Sequence, residues 1–148
     1  MPAFRFRLAA VLRSRERSRE EKRLELAAVE EAKARLTTEI RTLETLIAAQ
    51  GEELAERRER MLTGADLRLR GEFAQQAARK IQEQRALLAT VQQKLEEKRA
   101  EVLQADREVK SLEQLRVRLQ ARHRREARAE EQKLADEVGQ RRYLDRER

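Results

Sequence analysis

Read in alternating steps of three and four, the stretch from Ile81 to Leu119 returns Ile81, Gln84, Leu88, Val91, Leu95, Lys98, Val102, Ala105, Val109, Leu112, Arg116 and Leu119. Most of these positions are apolar, and the residues between them are mainly Glu, Lys, Arg and Gln. A 3.5-residue repeat held over about five heptads predicts a helix with one narrow apolar stripe. A stripe that narrow cannot line a broad core, so it needs a second helix lying along it.

The first half of the chain supplies one. Its stripe runs through Leu26 and Val29, skips Lys33, and continues with Leu36, Ile40, Leu43, Ile47 and Leu54. It then skips Arg57 and ends at Met61. From Arg13 to Arg23 apolar residues vanish, and the seam by register falls on Arg15, Arg19 and Lys22. Phe4, Leu8, Val11 and Leu12 recur at helical spacing. Phe4-Arg5-Phe6-Arg7-Leu8 also alternates like a strand, but a lone strand has nothing to pair with, so the segment reads as a helical lead-in. Pro2 suits a helix start.

Thr63-Gly64-Ala65-Asp66 is the first punctuation. Gly64 suits a left-handed C-terminal cap and Asp66 an N-cap, while Gly71 lengthens the connection. The pattern therefore predicts helix one at about 3–62, a turn at about 63–71 and helix two at about 72–144, in one domain over 1–148. Gly51 is expected to be tolerated and Gly139 to fray the last turns.

Folding at Gly64 pairs residues whose numbers add to near 130, so Leu54 falls near Ala77, Ile40 near Val91 and Leu12 near Leu119. The expected fold class is all-α: a monomeric antiparallel coiled-coil hairpin roughly 90 Å long, its second helix overhanging by some 15 residues.

Composition narrows the class further. Charged residues make up 43 % and aromatics 3 %, with four Gly and one Pro. That leaves a coiled coil or disorder, and the heptads favour the coiled coil. The absence of Cys excludes disulfides and thiolate zinc sites. No apolar segment approaches the roughly 18 residues that span a bilayer. The opening MPAFRFRLAAVLRSRER has no useful apolar region for a secretory signal, and its Arg richness makes a mitochondrial transit peptide a lower-ranked reading. The net charge of +7 is spread over interleaved signs, which reads as a solvated surface before it reads as a nucleic-acid face.

Candidate chemistry is sparse. His123, the single histidine, stands among Arg122, Arg124 and Arg125 with no second His, so a surface role is expected and zinc is not. No phosphate loop, calcium loop or nucleophile motif is present, and no enzymatic activity, cofactor or small-molecule substrate is expected. Arg5, Arg7, Arg13, Arg15, Arg17 and Arg19 crowd the start of helix one, where cations oppose the helix dipole. In the expected hairpin they lie beside Arg116, Arg118, Arg122, Arg124 and Arg125. An arrangement that costs stability points to an acidic partner, weighed evenly against a solubilising end. Phe73, with Leu67 and Leu69 nearby, reads first as a plug closing the turn end and second as a docking patch.

Three patches together resemble the FliJ family of flagellar type III export proteins. F-R-F-R-L-A-A-V-L-R-S-R-E, from Phe4 to Glu16, is similar to that family's F-x-F-x-L-x-x-V/L-L-x-x-R-x-x-E start. L-E-Q-L-R-V-R, from Leu112 to Arg118, matches its paired leucines followed by Arg. E-Q-K-L-A-D-E, from Glu131 to Glu137, is close to its E/D-Q-K-x-x-D-E. The resemblance implies a cytoplasmic stalk, peripherally associated with the inner membrane at the flagellar base, that serves flagellum assembly and motility. It implies partners in the hexameric export ATPase, the cytoplasmic domain of the membrane export gate, and export chaperones. Carried onto this chain, the ATPase-facing set is Arg13, Arg17, Arg118, Arg122, Gln132, Lys133, Asp136 and Glu137. The gate-facing set is Phe73, Ala77 and Ile81, with Leu46 opposite. Some family members carry a larger apolar residue at the position of Ala77. The competing readings are a generic coiled-coil scaffold, an injectisome stalk protein and a basic nucleic-acid binder.

Overall fold

A computed structural model describes residues 2–57 and 63–148. Two long helices, α1 (Ala9–Arg57) and α2 (Gly64–Arg146), pack against each other as an all-α hairpin. Both are dense in Ala, Leu, Glu, Arg and Gln, which lose little side-chain freedom in a helix. α1 passes through Gly51 and α2 through Gly71 and Gly139 without a break.

The connection differs from expectation. α2 starts at Gly64, so residues 64–71 are helix rather than turn, and no described glycine takes a left-handed backbone. The reason is local. Thr63, not Asp66, caps the helix: the Asp66 amide donates to Thr63 Oγ1 at 3.3 Å, and Thr63 Oγ1 donates to Asp66 Oδ2 at 2.7 Å. This is a reciprocal capping box with Asp66 in the first turn, where its charge suits the helix dipole. The expected end of helix one at 62, with Met61, lies outside the described residues.

Contacts divide the chain into two compact units, Glu21–Val102 and Met1–Glu20 with Leu103–Arg148. In the first, Ile40, Ala77, Ile81 and Leu95 are buried on the seam. Leu26, Val29, Lys33, Leu36, Leu43, Ile47, Gln84, Leu88, Val91, Lys98 and Val102 are half-buried at the other stripe positions. Lys22 reaches Glu101, Lys98 reaches Glu25 and Arg70 reaches Glu53 across the helices. The two numbers of each of these pairs add to 123; those of Arg85 and Glu44, joined by a 2.7 Å contact, add to 129. The helices are thus antiparallel, and three of these four pairs sit one heptad away from the expected constant of 130. A slip of one heptad leaves every stripe position on the seam, so the apolar pattern alone does not distinguish the two registers. The early start of α2 fixes which is used.

In the second unit Leu12, Ala105 and Val109 are buried, Val109 completely. Arg15 pairs with Glu108 at 3.1 Å and keeps the same arithmetic; Leu12 therefore sits a heptad away from its expected level at Leu119. The lead-in is another correction. Pro2–Phe6 is not helical, and α1 begins at Ala9, its amide bonded to the Phe6 carbonyl at 3.1 Å. Phe4, Phe6 and Leu8 are half-buried while Arg5 and Arg7 are exposed. The segment is neither the expected helix nor a strand; it is a strap without regular structure that ends in a turn at residues 7–8 and meets α2 at His123.

Along α2 the buried side drifts after Leu112. Arg116 is exposed and Leu119 only borderline, while Leu115, Gln120, His123 and Ala127 become half-buried. A straight helix at 3.6 residues per turn rotates by about 20° per heptad against a 3.5 repeat. His123, expected to be a surface residue, falls one stripe step beyond Leu119 and is half-buried against the strap.

Candidate functional site

Arg13, Arg17, Arg118, Arg122, Gln132, Lys133, Asp136 and Glu137 all belong to the unit formed by Met1–Glu20 and Leu103–Arg148, and all are exposed. Arg13 and Arg17 are one turn apart on α1, as are Arg118 and Arg122 on α2. Arg122 Nε holds Glu126 at 2.9 Å, and the Gln132 amide donates to Asp136 at 3.1 Å. Arg118 closes an open groove on the outer face of α2 with Lys110, Glu113, Gln114 and the exposed Val117. Such a face offers cations around an apolar floor, which suits an acidic protein surface with a hydrophobic projection.

His123 organises the neighbouring strap. Its Nε2–H donates to the Pro2 carbonyl at 3.1 Å, and its ring lies 5.6 Å from that of Phe4 at a 57° tilt. A tilted aromatic contact plus a hydrogen bond fixes the strap at two points.

The set expected to face the gate divides in two. Phe73 and Leu46 are exposed, Phe73 at 37 %; Ala77 and Ile81 are buried at 6 % and 7 %. Ala77 and Ile81 occupy stripe positions turned towards α1, so they present no surface to another molecule. Leu46 edges a groove with Thr38, Arg41, Thr42 and Thr45, whose threonine hydroxyls bond back into their own helix. At the start of α2, Leu67 and Leu69 are more exposed than Phe73.

Several exposed apolar side chains fall outside the sets expected to be functional: Val117, Leu134, Val138, Tyr143 and Leu144. Each lies off the heptad stripe or beyond its end. Large apolar residues outside the repeat were the available signal.

Four charged groups of the unit Glu21–Val102 form a closed cluster on the seam. Lys98 contacts Glu25 at 2.9 Å and Glu101 at 3.3 Å; Lys22 contacts Glu101 at 3.3 Å and Glu25 at 3.7 Å. The Lys98 hydrogen bond, followed by the charge of Lys22, holds Glu25 below the usual carboxylate range. Hydrogen bonds from Lys98 and then Lys22 do the same for Glu101. Glu25 and then Glu101 raise Lys98. Asp66 is lowered by its bonds to Thr63.

No described helix is long and apolar enough to cross a membrane. Fold and surfaces together define a coiled-coil hairpin whose exposed side chains and open grooves are available to other macromolecules. The family model described as Flagellar FliJ protein matches residues 4–148. The chain belongs to the FliJ family, and so to the components of the flagellar export apparatus. Comparison with curated proteins and with solved structures gives no significant match.

Proposed function

We propose that this chain is a non-enzymatic, cytoplasmic coupling stalk of the flagellar export machine, acting as a single domain at the inner membrane. One surface engages the hexameric export ATPase and another the cytoplasmic domain of the export gate, with export chaperones as further clients. The observation that supports this reading is the exposure of Arg13, Arg17, Arg118 and Arg122 in one unit together with Leu67, Leu69 and Phe73 in the other.

Exposed arginines that no buried carboxylate requires are suited to steering towards an acidic partner, with affinity that falls as salt rises. Gln132, Lys133, Asp136 and Glu137 extend that contact along α2. On the gate side Phe73 and Leu46 carry the contact, with Ala77 and Ile81 supporting from beneath.

The test is stimulation of the purified export ATPase. Arg118→Glu combined with Arg122→Glu is expected to reduce stimulation severalfold while helix content by circular dichroism stays unchanged. Full stimulation by the folded double variant overturns the role of this face.

A further inference from the structure

From Arg128 to Arg146 every residue of α2 is exposed, so this final stretch has no helix beside it. In steps of four and three it contains Glu130, Leu134, Glu137, Arg141, Leu144 and Arg148, the last lying just past the helix end. That is a heptad-spaced stripe reading acid, leucine, acid, base, leucine, base.

The order is mirrored about Gly139. Laid antiparallel against an identical stretch, Glu130 meets Arg148, Leu134 meets Leu144, and Glu137 meets Arg141. A two-fold axis repeats each meeting on the other half. Beside the stripe the same reflection sets Lys133 level with Asp145 and Asp136 level with Arg142, against one like-charge meeting of Glu131 with Glu147. A parallel arrangement would put acid on acid and base on base. Val138 lies beside the stripe near its centre.

We propose that this stretch of α2 is a docking face for the same stretch of a second copy of the chain, arranged antiparallel. Two further observations support it. Leu134 and Leu144 are 62 % and 59 % exposed, large apolar groups with nothing covering them. Glu137 and Arg141 are four residues apart on one helix, close enough for an intrahelical pair. Yet among the described residues the only side-chain contact within this stretch joins Gln132 to Asp136, which leaves the stripe's charges available for another molecule.

The stretch is roughly 30 Å long. A contact of that length is at the low end of specific interfaces, so the dimer is weak and concentration-dependent. Glu137 also belongs to the set assigned to the ATPase, which makes self-pairing and that contact alternative uses of one surface.

Sedimentation equilibrium of the full chain at physiological salt tests this without any other protein, so its outcome is independent of the export reading. Over micromolar to millimolar concentration the mass is expected to rise from 17.4 kDa towards twice that value. Arg141→Glu with Arg148→Glu makes the stripe wholly acidic, and Glu130→Arg with Glu137→Arg makes it wholly basic. Each variant alone is expected to stay monomeric, with helix content unchanged. An equimolar mixture of the two is expected to associate at least tenfold more tightly than either does alone. The proposal is overturned if the parent chain is monomeric throughout, which would leave the face to a different protein. It is equally overturned by a dimer that both variants retain, or by a mixture that stays monomeric.

Discussion

Lys98 Nζ lies 2.9 Å from Glu25 Oε2 across the seam between α2 and α1, at a position where the heptad pattern calls for an apolar residue. Lys22, on the facing helix, interrupts the stripe in the same way, and the two lysines share Glu25 and Glu101. Their aliphatic stems cover the seam while the ammonium groups reach its rim. A polar layer of this kind adds little net stability; a slip would break the two contacts that cross between the helices, Lys22–Glu101 and Lys98–Glu25, while each lysine kept the carboxylate on its own helix.

The cluster makes stability depend on pH at both extremes. Glu25 and Glu101 are lowered from 4.5, so their contribution is complete above that value and is lost as pH falls through their folded-state values. Lys98 is raised from 10.5, so its contribution is complete below that value and is lost as pH rises beyond it. Melting curves by circular dichroism are expected to be flat between the two limits and to shift down outside them. Glu25→Gln with Glu101→Gln should flatten the acid limb, and an unaltered acid limb would show that other carboxylates control it.

Phe73 and Ile81 separate binding from folding. Ile81 is buried on the seam, and Ile81→Ala is expected to cost about 2–4 kcal/mol, read from urea denaturation. Phe73 is exposed, and Phe73→Ala should change stability by less than about 0.5 kcal/mol. In a pull-down with the gate's cytoplasmic domain, Phe73→Ala is expected to lose binding while remaining fully folded. Ile81→Ala should lose binding only under conditions that also unfold it.

His123 anchors the strap through Pro2 and Phe4. Removing it in His123→Ala deletes one hydrogen bond and one aromatic contact, together about 1–2 kcal/mol of local restraint. Trypsin is then expected to cleave after Arg5 and Arg7 several times faster, with little change in global melting because the loss is confined to the strap. Equal cleavage rates in parent and variant would mean that the strap is held by Phe6 and Leu8 alone.

Most of the fold was legible because a stripe at 3.5-residue spacing admits few other architectures. Ile40, Leu95, Ala105 and Val109 are buried where that stripe put them. The register was not legible, because a one-heptad slip preserves every one of those positions. Thr63 decided it through a cap that competes closely with Asp66 in sequence. The strap was missed because Phe4 and Leu8, four residues apart, also fit helical spacing with Val11 and Leu12, while Phe6 fits only the alternation. As for the site, Arg13, Arg17, Arg118 and Arg122 are as exposed as charge alone implies. Ala77 and Ile81 are not, because residues carried over by resemblance bring no information about which way a helix face turns.

Gln84 offers a test of how far the seam is optimised. It occupies a stripe position, and its Oε1 is buried with no hydrogen-bond partner. An unpaired buried oxygen costs about 1–3 kcal/mol, and a leucine of similar length would remove that cost while adding apolar burial. Gln84→Leu is therefore expected to raise stability by about 1–2 kcal/mol, read as a higher urea midpoint at unchanged slope. If Gln84 instead serves to reject other pairings, the same variant will gain stability but populate larger oligomers, visible by light scattering. A drop in stability would show that the amide is satisfied by water and that the leucine overfills the space beside Ile81 and Leu88.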